Sequence, residues 1–298
     1  MLGLGLSLTT GGVITPYYVV VANAFRDRVE ADGGTVESMS CLKADLKVLN
    51  PVKPTPSVFD TDYQAVLDRS TALGYTAPSA AQQTLQNTLV EDLKTAGVWS
   101  KLDALYIMAN DGSSDFGRLN WASPSAFELS EVSSPTFTSN QGFTGNGSSS
   151  TLDSGINMGV DTTQFNQSTL NGSFGGWSYD VKLGGGPALM GDNPSVNNIR
   201  GGSSDYIFGD LNGVGTLFAG LYHMNADGAD GAQFINGGIA ITTQLGSLVT
   251  SNNKMHLLSE GGIGNFSGDT ISIAFVGGDL SAEASDLYNA FNTYMSAI

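Results

Sequence analysis

Few side chains in this sequence could carry acid–base or soft-metal chemistry. Its two histidines are His223, in Leu-Tyr-His-Met, and His256, in Lys-Met-His-Leu, and its single cysteine is Cys41. Histidine serves as a general base or a metal ligand when its ring nitrogens face a suitable partner. Both histidines are flanked by apolar residues in segments typical of strands, so we predict structural roles for them. Two histidines without a pair of cysteines also argue against a zinc site.

Carboxylates are abundant, with 28 Asp and Glu residues, but their spacing does not form a catalytic pattern. Glycoside hydrolysis needs two carboxylates that face the same sugar ring. Glu128 and Glu131 are three residues apart, so they would point to opposite faces of a strand. The sequence also lacks Gly-x-Ser-x-Gly, His-Glu-x-x-His and a phosphate loop. We therefore predict that the protein is not an enzyme.

One loop places oxygen ligands at a spacing that suits calcium. Asn225, Asp227 and Asp230 lie in Asn-Ala-Asp-Gly-Ala-Asp-Gly, which offers oxygen ligands to a hard cation. The loop lacks the distal bidentate glutamate of an EF-hand. The alternative is a hairpin tip whose side chains accept hydrogen bonds from nearby backbone amides. Calcium is the one cofactor that the sequence leaves open.

Five aromatic residues could bind a sugar by stacking on its ring. They fall in predicted strands, and they would form a binding surface only if their side chains were exposed together. The alternative is that they belong to the hydrophobic core. The candidates are Trp121, Trp177, Tyr179, Tyr206 and Tyr222.

The formal net charge of −16 limits the possible partners. From Ala122 onward there are three Lys and Arg residues against fifteen Asp and Glu residues. Such a surface repels nucleic acid and anionic lipid. No apolar run approaches the length of a membrane span. We predict a protein that neither binds nucleic acid nor inserts into a membrane.

The elements that must position these residues fall into two parts. Residues 1–103 are predicted to be a helical docking unit, with helices near 16–33, 36–49 and 60–73 and a fourth from Ser79 to about Gly97. Residues 104–298 alternate short apolar runs with turn residues about every ten positions, as in a β-sandwich. Predicted strands there include 118–121 and 127–129, and Ser281 is predicted to cap a final helix.

The N-terminus carries a separate assembly signal. Leu2, Leu4, Leu6 and Leu8 alternate with Gly and Ser, which is the period of a strand with one apolar face. An unpaired strand of this kind would be adhesive. It therefore pairs either within its own fold or with a neighbouring subunit, and the sequence does not choose between them.

Four segments in order resemble concanavalin A-like, laminin-G-like jelly rolls. The first is Phe-Thr-Gly-Asn-Gly-Ser-Ser-Ser-Thr-Leu-Asp-Ser-Gly at residues 143–155. The later ones are Gly-Trp-Ser at 176–178, Phe-Ile-Asn-Gly-Gly at 234–238, and the strand and helix between 272 and 288. The resemblance implies a mainly β fold, a concanavalin A-like jelly roll preceded by a small helical N-terminal unit.

A narrower resemblance covers the chain from about residue 85 to its end. The run Leu-Lys-Thr-Ala-Gly-Val-Trp-Ser-Lys-Leu-Asp-Ala-Leu-Tyr-Ile at 93–107, then Asn120-Trp121 and Ser-Pro-Thr-Phe-Thr at 134–138, resembles virion structural proteins of tailed bacteriophages and prophages. It implies a non-enzymatic head- or tail-fibre or other appendage protein, present in several copies and bound to other virion proteins. It would be made in the host cytoplasm and located on the particle. The alternative is a lectin-like adsorption module that recognises a glycan of the host surface.

Overall fold

The computed structural model describes residues 59–180, 188–193, 196–200, 206–207, 210–211, 219–245 and 251–298. All of them belong to one compact unit, Phe59–Ile298. The helices predicted at 16–33 and 36–49 and the leucine strand at 2–8 lie outside the described residues.

Capping residues set the ends of the first two helices. Helix α1 spans Thr61–Leu73; the Asp60 carboxylate accepts a hydrogen bond from the Asp62 amide at its start. Gly74 ends it with φ of 75°, a left-handed conformation that glycine adopts without strain. Helix α2 spans Ala80–Thr95 and begins at Ser79, whose hydroxyl accepts from the amide of Gln82. The helix predicted at 60–73 and the predicted start of the next helix at Ser79 are therefore confirmed to within one residue.

The rest of the described chain is mostly antiparallel strand. A 3₁₀ turn, Trp99–Lys101, leads into β1, a four-residue helix α3 (Ser114–Gly117) follows it, and helix α4 (Ala284–Ala297) comes last. A second 3₁₀ turn covers Gln167–Thr169. The strands are β1 Leu102–Ile107, β2 Ser130–Val132, β3 Thr136–Thr138, β4 Gly142–Thr144, β5 Thr151–Asn157, β6 Asn171–Ser178, β7 Ala188–Asn193, β8 Asn197–Arg200, β9 Tyr206–Ile207, β10 Asp210–Leu211, β11 Gly220–Asp227, β12 Asp230–Ile235, β13 Gly238–Gln244, β14 Lys254–Leu257 and β15 Thr270–Gly277.

The described strands form two antiparallel sheets. Sheet A has the order β13-β12-β11-β6-β15-β4-β3, with β1 also paired to β15. Sheet B has the order β10-β9-β8-β7-β14-β5-β2. The predicted fold class, a mainly β sandwich of the jelly-roll kind, is confirmed.

The inner core lies between the two sheets. Alternate residues of each strand point into it, which is the two-residue period of a pleated strand. Sheet A contributes side chains such as Phe174 and Tyr222, and sheet B contributes Leu152, Met190 and Leu257. All five are almost fully buried.

A second core lies on the outer face of sheet A, where three helices pack. Leu105 and Phe275 from the sheet meet Tyr63, Leu93 and Phe291 from α1, α2 and α4. The helices at 61–95 therefore share a core with the sandwich. The boundary predicted at residue 103 falls inside this compact unit, because apolar residues on this face of the sheet need a covering layer.

Three local predictions are wrong. Residues 118–121 are not a strand, because Ser113 caps the helical turn α3 just before them and Arg118 ends it. Residues 127–129 are not a strand either, because Phe127 has φ of 57°, which breaks a ladder. Ser281 donates its hydroxyl to Asp279, and α4 begins after Glu283.

Among the described residues, no helix combines the length and the apolar character that crossing a membrane requires.

Candidate functional site

An aromatic surface lies on the outer face of sheet A, beside the start of α4. Trp177 of β6 and Tyr288 of α4 stack with ring centroids 6.0 Å apart and planes 5° from parallel. Both rings are half-buried. Tyr179, two residues beyond Trp177, is 41% exposed. We call Trp177, Tyr179 and Tyr288 the aromatic surface.

Strand pairing and one glycine position this surface. Trp177 lies opposite Leu221 on one side and Ile273 on the other, which fixes its place in the centre of sheet A. The turn between β12 and β13 consists of Asn236 and Gly237, both with positive φ. A Cβ on Gly237 would lie 2.9 Å from the Cβ of Tyr288. Glycine therefore lets α4 approach the turn closely enough to bring Tyr288 onto Trp177.

Polar groups border the aromatic surface. The Asn236 side-chain oxygen accepts a hydrogen bond from the Leu221 amide at 2.9 Å, and Asn236 is exposed. The Ser285 hydroxyl donates to the Gly237 carbonyl at 3.2 Å. Partly exposed aromatic rings with an amide and a hydroxyl at their edge suit a ligand with one apolar and one hydroxylated face. A saccharide has both.

The structure separates the other aromatic candidates from this surface. Trp121 is 1% exposed and packs between Tyr63 and Phe116, with centroids 5.4 and 6.3 Å away. Tyr222 is equally buried in the inner core. Neither side chain is accessible to a sugar, because both are buried in a hydrophobic core. Tyr206 lies in β9, and its side chain is outside the described residues.

The three residues proposed for calcium are not assembled around a common point. Asn225 is buried in β11, donates to the Asp279 carboxylate and accepts from the Leu280 amide. Asp227 accepts from the amides of Ala229 and Asp230, as expected for a hairpin tip. The structure thus favours the turn interpretation. In the described part of the chain, no group of three or more His, Cys, Asp or Glu is placed to hold a metal ion.

His223 lies in the outer core among aromatic rings. Its imidazole stacks on Phe234 at 5.1 Å and meets Phe275 edge-on at 5.4 Å. Neither ring nitrogen has a hydrogen-bond partner among the described residues. Burial lowers the pKa of His223 to about 3, and Asn225 and Asp279 oppose the shift only in part. The imidazole is therefore neutral at physiological pH.

His256 belongs to a polar cluster on the outer face of sheet B. Its Nε2 lies 3.7 Å from Asp153 and its Nδ1 lies 3.3 Å from the Thr151 hydroxyl. This order of carboxylate, imidazole and hydroxyl resembles a catalytic triad. However, Thr151 donates its proton to the Leu257 carbonyl at 2.7 Å and is buried. The Leu257 carbonyl can only accept, so this contact favours donation of the Thr151 proton to the carbonyl over donation to His256.

A loop over this cluster is fixed by a buried ion pair that sequence reasoning missed. Glu260 is fully buried, accepts from the Arg200 guanidinium at 3.1 Å and from the Asn265 amide at 2.6 Å. A Cβ on Gly262 would lie 2.7 Å from the His256 ring. No sequence signal joins Arg200 to Glu260, because the two residues are sixty positions apart. The loop that contains Glu260 and Gly262 therefore covers the His256 ring.

Asp192 is another buried carboxyl in the described part of the chain. It is fully buried, and the Asn197 amide donates to one of its oxygens at 3.0 Å. Burial raises the pKa of Asp192 to about 7. The group is thus partly protonated at neutral pH, and it lies at the end of β7 rather than on the surface.

No family model matches this chain. The search of curated proteins likewise finds no match. Several solved structures are similar at low identity. Trypanosoma rangeli sialidase is 12% identical with a TM-score of 0.45, over 71% of this chain and 40% of that chain. Domain 4 of the GH43 extracellular arabinanase AbnA from Geobacillus stearothermophilus is 12% identical with a TM-score of 0.35, over 63% and 98%. These values assign no activity to this chain.

Proposed function

We propose that this protein is a non-enzymatic structural component of a bacteriophage virion, a head- or tail-fibre or other appendage protein. In this proposal its N-terminal part binds other virion proteins and the sandwich is displayed outward. The sequence resemblance in residues 93–107 and 134–138 motivates the assignment. The observation that carries the non-enzymatic part is the closed cluster of His256, Asp153 and Thr151.

Several groups that could do chemistry are held by structural hydrogen bonds. The Thr151 proton is donated to a carbonyl, and the Gly262 backbone covers the His256 ring. The Asp103 carboxylate accepts from the amides of Thr163, Gln164 and Phe165, which fixes the loop before β6. Groups in such networks stabilise the fold, and a reaction would have to break those networks.

Particle incorporation tests this proposal. Particles should carry the full chain, detected by immunogold electron microscopy at one defined location. Deletion of residues 1–14 should abolish incorporation, since the alternating leucines are predicted to dock. Circular dichroism of the deleted chain must show an unchanged sandwich. A folded, deleted chain that incorporates normally contradicts the docking role, and a chain absent from purified particles contradicts the virion assignment.

The aromatic surface favours a second candidate function, adsorption to a host glycan. A glycan array probed with the full chain should show binding that Trp177→Ala removes and Ile263→Ala preserves. Ile263 is a suitable control, because it is 72% exposed and lies in the loop over sheet B. Binding in the presence and absence of a calcium chelator should be equal. If the folded chain binds no glycan on the array, this second candidate is wrong and the structural proposal is unaffected.

A further inference from the structure

Strand β13 forms an exposed edge of sheet A. It is the last strand in the order of that sheet, and six of its seven residues are exposed. Ile239 is 65% exposed and Ile241 is 36% exposed. Among the described residues, therefore, nothing covers most of the side chains of β13, although two of them are large and apolar.

The edge lacks most of the features that keep edge strands apart. Natural edges carry charges, prolines, bulges or short lengths that prevent pairing with another chain. From Gly231 to Asn253 the sequence has no charged residue and no proline. A bulge at Ala240 shifts the register once, and residues 241–244 keep regular pairing with β12. The strand after the bulge is rich in β-branched residues, which favour sheet pairing.

The β12–β13 hairpin is held in place before any partner arrives. Its turn contacts α4, because the Ser285 hydroxyl donates to the Gly237 carbonyl and Tyr288 packs on Gly237. At the other end the Leu245 amide donates to the Ala229 carbonyl at 3.0 Å. Both ends of β13 are thus tied to neighbouring structure. Pre-organisation of this kind lowers the entropy cost of pairing.

The charge of the protein limits what can pair with β13. Two copies with a net charge of −16 repel each other over most of their surface. They can approach most closely where few charges lie; β13 itself carries none, and the nearest carboxylate in the hairpin, Asp230, lies opposite Gln244 at its end. An antiparallel pair of identical strands also brings β-branched residues opposite β-branched residues, as an isologous interface requires. We propose that β13 pairs with β13 of a second copy of this chain, joining two sheets A into one continuous sheet.

This inference goes beyond the virion proposal, because it names the edge through which copies associate and is tested in solution without particles. Light scattering coupled to size exclusion should show the full chain shifting to dimer, or to a multiple of dimer, as concentration rises. The double variant Ile239→Glu/Ile241→Glu places like charges across the interface. It should weaken association by roughly tenfold or more.

A matched control and a local readout complete the test. Ile263→Glu adds a charge at a similarly exposed isoleucine away from β13, and it should associate like the wild type. Hydrogen exchange should slow at residues 238–244 when the wild type is concentrated, and it should stay fast in the double variant. Higher salt should strengthen association, because it screens the repulsion between copies.

Three results would overturn the proposal. The first is a monomer at every concentration. The second is an oligomer that the double variant leaves unchanged while its melting temperature is preserved. The third is an oligomer in which residues 238–244 exchange as fast as in the monomer. Any of these would leave the virion assignment standing, since particle incorporation is measured separately.

Discussion

The outer faces of the two sheets are covered in different ways. On sheet A the outward residues are mainly apolar, such as Leu105, Ile273 and Phe275, and three helices pack on them. On sheet B the outward residues include Asp153 and His256, and a short loop covers them. One face is closed by hydrophobic burial, and the other is closed by hydrogen bonds and an ion pair.

The two histidines show what this difference does to one side chain. On sheet A, His223 is surrounded by aromatic rings and its pKa falls to about 3. On sheet B, burial also lowers the pKa of His256, but the Asp153 carboxylate opposes that shift while Lys254 adds to it. Burial lowers the pKa of both histidines, and in both a nearby carboxylate opposes the shift, Asp279 for His223 and Asp153 for His256.

Truncation in the outer core should have the largest effect. Phe275→Ala should lower the free energy of unfolding by about 3–5 kcal/mol, because it leaves a cavity between sheet A and α4. Phe275 is fully buried and lies 6.1 Å from the Phe291 ring. Urea denaturation measures the loss, and Phe275→Leu should recover part of it. A loss below about 1 kcal/mol would mean that the helix layer does not depend on this contact.

Removal of the buried carboxylate on sheet B should have the next largest effect. Glu260→Gln deprives the Arg200 guanidinium of its carboxylate partner and should cost about 2–3 kcal/mol, since Arg200 keeps some solvent contact. Glu131→Gln is the control; its side chain is partly exposed near Arg118 and should cost less than about 1 kcal/mol. Equal losses in the two variants would contradict a special role for the buried pair.

Lowering the pH should destabilise the protein through His223, which lies on the outer face of sheet A. Its folded-state pKa is below the ordinary value, so the unfolded chain gains a proton first and stability falls as pH drops from about 6.5 toward 3. His223→Phe removes this contribution and should gain up to about 2 kcal/mol over the wild type between pH 7 and pH 5. Urea denaturation at both values measures it. Parallel losses in the two proteins would mean that His223 is already protonated or solvated.

The aromatic surface should have the smallest effect on stability. Trp177→Ala should cost about 1 kcal/mol, because the Trp177 ring is half-buried and the sheet beneath it remains intact. Trp121→Ala should cost about 3–5 kcal/mol, because that ring is buried in the outer core. Thermal unfolding of both variants gives the comparison. Similar losses would show that Trp177 belongs to the core rather than to a surface.

Local signals in the sequence predicted much of the fold. The helix at 60–73 and the start of the next helix at Ser79 were predicted to within one residue, because capping signals act within a few residues of themselves. Short apolar runs separated by turn residues predicted that residues 104–298 are rich in strands. Segments 118–121 and 127–129 were mistaken for strands, because their apolar residues pack into a core without strand geometry. The first segment follows a helical turn, and the second contains Phe127 with a left-handed φ. Apolar pattern alone does not separate these cases.

The candidate site was predicted in part. Trp177, Tyr179 and Trp121 were all candidates from the sequence, and Trp121 follows the alternative of burial in the core. Tyr288 was not among the candidates. Arg200 and Glu260 were not recognised as partners. Contacts of this kind depend on how strands and loops are arranged around the sheets, and no spacing in the chain records that arrangement.

The sequence by itself determined the sandwich class, the capped helices and the scarcity of catalytic groups, because composition, turn residues and periodicity act over short distances along the chain. Only the tertiary structure decided that residues 61–95 share a core with the sandwich, that Trp121 is buried while Trp177 meets Tyr288, and that β13 is an exposed edge among the described residues. Burial depends on which surfaces meet across the fold, and residues far apart in the chain supply them.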